Sequence, residues 1–305
     1  MDNSSLTLSS FAKINWNLRI LGKRPDGYHD VSTVLQTISL ADELHFTPRN
    51  DDRLVLTCND PLIPTDEHNL VIRAGLLLRE TAGESSGVNI ELNKRIPSQA
   101  GLGGASSNAA IALIAFTRLW GLENLDLPEI ASRIGADVPF FLNGGRVLGE
   151  GIGTKISPLV DCETKHLIIV SPKACVPTAA AYKAVDARSL TSSDSETILT
   201  VSFAEPISSD CDLSALHNDF EGVIFEIEPE IERAKTALLK SGANAALLAG
   251  SGSSVFGIFA NNDARQTALE RLECEPGWRV YPCETLARND YLKRIGVSQS
   301  RLKTF

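Results

Sequence analysis

One stretch of the chain has the residue types and spacing of a phosphate-binding loop. Residues 97–107 read Pro-Ser-Gln-Ala-Gly-Leu-Gly-Gly-Ala-Ser-Ser, and an apolar run of helical length begins near Asn108. Glycine has no Cβ, so Gly101, Gly103 and Gly104 let the backbone turn tightly and approach a ligand. The first N–H groups of the following helix have no partner within that helix. These unpaired N–H donors lie beside a glycine backbone that a ligand can approach closely. The loop is therefore predicted to bind a polyanion.

Two common phosphate-binding motifs do not fit this loop. A Walker A loop ends in Gly-Lys-Ser or Gly-Lys-Thr, whereas residues 103–107 contain no lysine. A dinucleotide-binding fingerprint needs a third glycine at the place where Ser106 stands. The alternative without a ligand is a loop whose small residues only allow close helix packing.

Two charged residues outside the loop suit phosphoryl transfer to an alcohol. Lys13 shares one face of a predicted strand with Asn15, so this face presents an ammonium and an amide. Asp137 stands two residues before a proline, which is typical of a helix N-cap. A carboxylate also accepts the proton of an attacking hydroxyl group. Asp137 is therefore predicted to be both a cap and a base, whereas the alternative for Lys13 is a solvated strand face.

Two further segments have features of a binding site. Residues 27–30 (Gly-Tyr-His-Asp) offer an aromatic ring and an imidazole beside a turn, and aromatic rings stack on nucleobases. Residues 248–255 (Leu-Ala-Gly-Ser-Gly-Ser-Ser-Val) form a second glycine-rich turn. Taken separately, these segments predict a surface loop and a tight hairpin. Two glycine loops in one chain favour a ligand cleft between domains.

The hydrophobic pattern predicts the elements that hold these residues. Asn69 is expected to cap an amphipathic helix, and the helix after the glycine loop is apolar on all sides from Ala109 to Phe116, which predicts burial. Residues 189–196 are rich in serine, threonine and aspartate and predict a solvated loop, with 186–206 as looser surroundings. Strands are predicted at 12–20, 31–38, 43–47, 53–57, 88–92, 166–170, 243–249, 255–260 and 278–282, and further helices at 229–240 and 263–272.

This order predicts an α+β fold with two domains. The second half alternates strands and helices as in a ferredoxin-like α/β plait, in which helices cover one face of an antiparallel sheet. The first half reads as a mixed α/β domain. We place the boundary so that the domains comprise residues 1–160 and 161–305.

The composition limits the classes of function. The chain has 305 residues, 43% of them hydrophobic, and a net charge of −9. That length suffices for two domains, and the acidic charge argues against nucleic-acid binding, which needs a basic surface. No apolar run is long enough to span a bilayer, so we expect a cytoplasmic protein without membrane contact. The cysteines form no Cys-x-x-Cys pair, and no metal site is predicted.

In four blocks, the chain resembles the kinases named for galactokinase, homoserine kinase, mevalonate kinase and phosphomevalonate kinase, the GHMP kinases. The resemblance implies a two-domain kinase with its active site in the interdomain cleft, using ATP and Mg²⁺. It further implies phosphorylation of the 2-hydroxyl of a cytidine-diphosphate-linked methylerythritol. The blocks are residues 12–15 (Ala-Lys-Ile-Asn) with 24–29 (Arg-Pro-Asp-Gly-Tyr-His), 97–107, 135–139 (Gly-Ala-Asp-Val-Pro) and 248–256, and they span nearly the whole chain.

The same resemblance implies roles for single residues. Asp137 would deprotonate the acceptor hydroxyl, Lys13 would stabilise charge on the transferring phosphoryl group, and Asn15 would position the acceptor. The substrate, with its cytosine stacked against Tyr182, would contact Tyr28, His29, Thr178, Tyr182, Gly250 and Gly252. The nucleotide would contact Asn69, Lys94, Pro97, Ala100, Gly101, Leu102, Gly103, Gly104, Ala105, Ser106 and Ser107.

Other functions remain open at this point. A sister kinase for homoserine or mevalonate would share the loop but lack a cytidine pocket. A nucleotide-binding regulator that has lost catalysis is a second alternative, although the presence of both Lys13 and Asp137 speaks against it. A dehydrogenase is a distant third. The protein is expected to act on a small molecule as a monomer or homodimer.

Overall fold

Two β-sheets packed face to face form the centre of the molecule. A computed structural model of the chain describes residues 5–191 and 213–297. Within them, one sheet has seven strands and the other has four. One hydrophobic cluster lies between the sheets, where Ile14 and Trp16 of the first contact residues such as Phe256 of the second. Two further clusters lie between each sheet and its own layer of helices.

The first sheet carries the N-terminal half of the chain. Its central pair is antiparallel, and the strand order is β3-β4-β2-β1-β8, with β5 and β6 continuing from β2. The helices α1 to α4 cover its outer face. These elements are β1 (Leu6–Lys23), β2 (His29–Pro48), β3 (Leu54–Cys58), α1 (Leu70–Ala82), β4 (Val88–Asn93), α2 (Gly104–Leu119), α3 (Leu127–Ile134), α4 (Val138–Asn143), β5 (Arg146–Gly151), β6 (Lys155–Pro158) and β8 (His217–Asn218).

The second sheet is antiparallel throughout, with the order β11-β7-β10-β9. Helices cover the face turned away from the first sheet, as an α/β plait requires, so the predicted α+β class is confirmed. Its elements are β7 (His166–Ser171), α5 (Thr178–Thr191), α6 (Glu221–Ile227), α7 (Pro229–Lys240), β9 (Ala245–Leu248), β10 (Val255–Phe259), α8 (Asn262–Arg271) and β11 (Arg279–Glu284).

The chain crosses twice from the second half back to the first. Strand β8 adds to the first sheet beside β1, and the last helix, α9 (Arg288–Arg294), packs into the first hydrophobic core through Tyr291 and Leu292. The boundary between residues 160 and 161 stays a prediction, but each half contributes residues to the other.

Three of the differences between the predicted and the observed elements have a clear physical reason. β2 is one strand where two were predicted at 31–38 and 43–47, because β1 pairs with Ala41 and Asp42 on one side of a β-bulge and with Thr37 on the other. α2 begins at Gly104 rather than near Asn108, since its polar first turn has no apolar periodicity. α5 extends to Thr191, so the loop prediction is wrong for 189–191 because no glycine or proline ends the helix there. The remainder of 186–206, from 192 onward, lies outside the described residues.

Candidate active site

Lys13 and Asp137 meet beside the glycine loop. Their side chains come from β1 and from the turn before α4, and the distance from Lys13 Nζ to Asp137 Oδ2 is 3.8 Å. The Lys13 side chain is 6% exposed and that of Asp137 37% exposed. The pair therefore joins a buried cation to a carboxylate that a ligand in solution can reach.

The polar face of β1 is buried, so the solvated-face alternative for Lys13 is wrong. Gly103 and Gly250, one from each glycine loop, approach the Lys13 side chain on this face. Lys13 Nζ donates to Asn15 Oδ1 at 2.9 Å, Asn15 Nδ2 donates to Thr33 Oγ1 at 2.7 Å, and that hydroxyl donates to the Asn17 carbonyl at 2.7 Å. Burial lowers the pKa of Lys13, and the charge of Asp137 opposes this shift. The hydrogen bonds hold the ammonium in one orientation.

Asp137 occupies the N-cap position of α4 but its side chain does not cap the helix. Its backbone is helical, with φ −82° and ψ −10°, whereas a capping residue is usually extended. Pro139, at the second helical position, also has no N–H group to donate. The predicted capping role is therefore wrong, and the carboxylate remains free to face Lys13.

The glycine loop is held between β1 and the second glycine loop. The backbone N–H of Lys13 donates to the Leu102 carbonyl at 2.9 Å, and that of Ser254 donates to the Ala100 carbonyl at 3.1 Å. Gly101 and Gly103 have φ values of 75° and 71°, which a residue with a Cβ adopts only with strain. A Cβ built on Gly101 would lie 1.8 Å from the Ala249 carbonyl oxygen. The glycine at 101 is thus required by backbone conformation and by space.

We expect Gly101→Ala to damage the protein more than Gly121→Ala. Both glycines have a similar positive φ, 75° and 64°, but a Cβ on Gly121 would meet nothing within 4 Å. Gly121→Ala should cost about 1 kcal/mol of unfolding free energy through strain alone. Gly101→Ala should cost more unfolding free energy, as measured by denaturant unfolding of the two variants. Equal effects of the two changes would contradict this packing argument.

The second glycine loop lies against the same lysine. A Cβ on Gly250, whose φ is 56°, would be 2.9 Å from the Gly101 carbonyl oxygen and 3.1 Å from Lys13 Nζ. Gly252 has a φ of 92°. The structure therefore brings both glycine loops, Lys13 and Asp137 to one place, as a cleft between the two domains requires.

Comparison with known proteins identifies the family. The model of the GHMP kinases N terminal domain matches residues 69–145, and that of the GHMP kinases C terminal domain matches residues 201–277. The chain belongs to the GHMP kinases.

Relatives of this GHMP kinase match it over most of its length. It is 40% identical over 281 residues to 4-diphosphocytidyl-2-C-methyl-D-erythritol kinase of Solibacter usitatus, covering 90% of the chain and 87% of the relative. It is 41% identical over 279 residues to the protein of the same name from Chlorobium limicola, covering 90% and 95%.

Solved structures agree with the fold of this GHMP kinase. A 4-(cytidine 5'-diphospho)-2C-methyl-D-erythritol kinase superposes with a TM-score of 0.75 at 32% identity, over 92% of this chain and 99% of that one. Homoserine kinase from Cytophaga hutchinsonii superposes with a TM-score of 0.63 at 21% identity, over 93% and 96%, which shows the shared fold alone. The predicted family and two-domain architecture are confirmed.

A buried carboxylate that sequence reasoning missed holds Lys94 of the GHMP kinase. Asp42 is 1% exposed, and its oxygens accept from Lys94 Nζ and from the backbone N–H groups of Arg95 and Ile96. A Cβ on Gly104 would lie 3.0 Å from Lys94 Nζ. Lys94 is therefore fixed at the start of α2, where a phosphate group would meet the helix N-terminus. Asp42 gave no signal in the sequence because it lies within a long strand.

The remaining residues of the predicted nucleotide site fall into two groups. Ala105 and Ser106 are accessible in the first turn of α2, whereas Pro97, Ala100 and Leu102 are buried supports of the loop. The hydroxyl of Ser107 is buried and accepts from Ser10 Oγ at 2.7 Å. Asn69 caps α1 as predicted, accepting from the N–H of Val71, and its amide donates to the Pro64 carbonyl. A contact of Asn69 with nucleotide stays a prediction from the resemblance.

The predicted base-binding residues lie at the end of the β1–β2 hairpin and on α5. The rings of His29 and Tyr182 stack directly, with centroids 4.8 Å apart and planes 21° apart. A base between them would need about 7 Å, twice an atomic contact distance, so a base must stack on an outer face unless the rings separate. Tyr28 is 63% exposed and its ring is accessible. Thr178 joins α5 to the second glycine loop through a 3.0 Å contact with the Ser251 hydroxyl.

Burial raises the pKa of Tyr182 to about 12, and the nearby charge of Asp137 adds to the shift. The Tyr182 hydroxyl is thus protonated at neutral pH and lies within electrostatic range of the carboxylate. This links the base-binding end of the GHMP kinase to Asp137.

Asn218 holds the second glycine loop through hydrogen bonds. No motif in the sequence indicated this role for Asn218. Its buried amide donates to the carbonyls of Leu248 and Gly250 at 2.9 and 2.7 Å, and its oxygen accepts from the N–H of Phe220. β8 thereby ties the first sheet to the loop that touches Lys13.

Replacing Asn218 by aspartate should displace this loop while keeping the bond to Phe220. A carboxylate would accept from the Phe220 N–H but would face two carbonyl oxygens, each left without its donor, at about 1–3 kcal/mol per buried group. We expect a fall in unfolding free energy and in kcat for Asn218→Asp. Asn244→Asp, at an exposed bend before β9, serves as the control, and equal activity of both variants would contradict the role given to Asn218.

Three further features complete the description of the GHMP kinase. In residues 5–191 and 213–297, no group of three or more His, Cys, Asp or Glu side chains is arranged to hold a metal ion. The described helices include none with the length and apolar character needed to cross a membrane.

A cavity of about 750 Å³ lies beside β8, α6 and α7, and none of the predicted site residues lines it.

Proposed function

We propose that this GHMP kinase transfers the γ-phosphoryl group of ATP to the 2-hydroxyl of 4-diphosphocytidyl-2-C-methyl-D-erythritol. The observation that carries the proposal is the 3.8 Å pair of Lys13 and Asp137 where the two glycine loops meet. Relatives about 40% identical over some 90% of the chain bear the name of this kinase, which supports the acceptor.

Asp137 accepts the proton of the 2-hydroxyl in the proposed reaction. As the proton leaves, the hydroxyl oxygen forms a bond to the γ-phosphorus, and the bond from that phosphorus to the bridging oxygen breaks. ADP departs with the electron pair of that bond. The transfer is direct and in line, without a phosphoenzyme, because positioning and charge neutralisation supply most of the catalysis. The partial exposure of Asp137 gives the acceptor access to it.

Lys13 stabilises the charge on the transferring phosphoryl group. A fixed cation in a buried position acts more strongly than one in water, because no solvent has to reorganise when the charge develops. The hydrogen bond to Asn15 supplies that fixation. We therefore propose that Asn15 acts on the acceptor side of the site chiefly by orienting Lys13.

The nucleotide phosphates bind over the glycine loop and the first turn of α2. The free N–H groups and the positive end of the helix dipole attract the triphosphate, and Lys94 adds a positive charge held in place by Asp42. The donor set fits Mg²⁺ bound largely through phosphate oxygens and water, as this ion commonly is in kinases. Mg²⁺ would neutralise charge on the β- and γ-phosphates.

The cytidine end of the acceptor lies at the hairpin and α5. Tyr28 offers an accessible ring, His29 offers a ring edge, and Tyr182 and Thr178 extend the surface toward Asp137 and the second glycine loop. Gly250 and Gly252 form the wall on the acceptor side. The cytoplasmic location and the monomeric or homodimeric state remain predictions from the sequence.

The proposal is tested by offering one acceptor at a time. With ATP and Mg²⁺, we expect ADP formation only with the cytidine-linked methylerythritol, and a new phosphomonoester on its 2-hydroxyl by phosphorus NMR. Turnover of homoserine or mevalonate instead would identify a sister kinase. ATP binding without ADP formation from any of the three acceptors would favour a regulator without activity.

A further inference from the structure

Both oxygens of a single carboxylate on α5 bind the end of the β1–β2 hairpin. Asp186 Oδ1 lies 2.6 Å from Nε2 of His29, and Asp186 Oδ2 lies 2.6 Å from Nζ of Lys23. Lys23 and His29 face each other as the last paired residues of the hairpin. The sequence placed Asp186 at the edge of a polar segment outside every motif, so nothing along the chain suggested this contact.

The same helix also holds the face of the His29 ring. Tyr182, which stacks on that ring, lies one turn before Asp186 on α5, and residues four apart in a helix share a face. His29 itself is 8% exposed. One helix surface therefore fixes both the plane of the imidazole and the position of its Nε2.

The hydrogen bond to Asp186 decides which ring nitrogen of a neutral His29 carries the proton. Lys23 lowers the pKa of Asp186, with a smaller contribution from His29, so the carboxylate is ionised at neutral pH. Its charge is already balanced by the Lys23 ammonium at 2.6 Å. A neutral ring that donates Nε2–H to an ionised carboxylate has its lone pair on Nδ1. His29 then offers an acceptor, and no donor, to a ligand.

We propose that Asp186 is a positioning residue that sets the base specificity of the kinase, by holding His29 as the Nε2–H tautomer with Nδ1 ready to accept from the exocyclic amino group of cytosine. Uracil carries a carbonyl oxygen in place of that amino group, and two acceptors would face each other. A site built around a hydrogen-bond donor of its ligand discriminates strongly against an analogue that lacks it. This inference rests on the proposed function, because it concerns the base of the proposed acceptor.

Kinetics of Asp186→Ala with two acceptors test the proposal. We expect the KM for the cytidine-linked acceptor to rise about tenfold and the preference over its uridine analogue to fall about tenfold, with kcat and the KM for ATP changed less than about twofold. Asp186→Glu, which keeps a carboxylate, should restore part of the preference. Asp30→Ala is the matched control, since Asp30 adjoins His29 but binds Arg24 instead. An unchanged base preference, or an equal rise in both KM values, would overturn the proposal.

A measurement without turnover separates this proposal from the proposed function. Nitrogen-15 NMR of the His29 imidazole in the wild-type protein should show a protonated Nε2 and an unprotonated Nδ1. Protonation of both nitrogens, or of Nδ1 alone, would refute the assignment, even if Asp186→Ala does not fold. Absence of phosphorylation by the wild-type protein would instead refute the proposed acceptor and leave the tautomer to be judged by NMR.

Discussion

Asp137→Asn should lower kcat by about 10³-fold while ATP still binds with nearly unchanged affinity. An amide cannot accept the hydroxyl proton, and general base catalysis typically contributes 10²–10⁴-fold. The amide has almost the same shape as the carboxylate, and Asp137 makes no capping hydrogen bond that the change would remove. Single-turnover kinetics and nucleotide titration measure the two quantities separately. A variant that turns over at the wild-type rate would show that Asp137 is not the base.

A second acid at a helix start provides the control for Asp137. Asp126 caps α3 and accepts from the N–H of Glu129 at 3.0 Å. Asp126→Ala should therefore cost about 1 kcal/mol of unfolding free energy with activity kept. Asp137→Ala should remove nearly all of the activity, and its loss of stability should come from the buried Lys13 ammonium left without this carboxylate rather than from a lost cap. The reverse pattern would mean that Asp137 is a structural cap.

Lys13→Met should abolish most turnover without a comparable loss of stability. The ammonium is the buried cation of the site, and loss of one such charge-stabilising group typically lowers kcat 10²–10³-fold. Removing a buried charge relieves its desolvation cost, but it leaves Asn15 Oδ1 without its donor. These two contributions oppose each other, so the melting temperature should change little.

Two companion variants sharpen the test of Lys13. Lys155→Met removes a strand lysine that is 74% exposed and pairs with Glu150, and it should leave activity unchanged. Lys13→Arg keeps the charge but adds bulk where Gly103 and Gly250 approach the lysine side chain within about 3 Å of a built Cβ. We expect no rescue by arginine. Full activity of Lys13→Met would contradict the role of the ammonium.

The predictions from sequence were best where the information is local. The glycines at 101 and 103 can be read directly from the sequence, and they mark a backbone conformation that other residues adopt only with strain. The helix at 109–116 is buried on all sides, as its uninterrupted apolar composition predicted. Asn69 caps α1 because its side chain bonds to a residue two positions away. Each of these features depends on neighbours within a turn or two of chain.

The predictions were wrong where a neighbouring element intervenes. Alternation along β1 left a solvated face with Lys13 and Asn15 open as the alternative, but that face is buried and both glycine loops approach Lys13 there. Asp137 has the sequence context of a cap, but the following proline and its own helical backbone prevent capping. In both cases the sequence pattern was an ordinary one, and the folded structure placed the residue in an environment that the pattern does not show.

The sequence alone determined the two glycine loops, the alternation of elements and the family resemblance. Each of these depends on short segments of the chain, in which the residues have local conformational preferences of their own. Only the tertiary structure decided that Lys13 meets Asp137, that Asp42 holds Lys94, and that Asp186 reaches His29 across 157 residues of chain. Side chains such as these have no local preference for their partners. Packing of two sheets and their helices places them together, and their hydrogen bonds then fix the geometry in which the chemistry can occur.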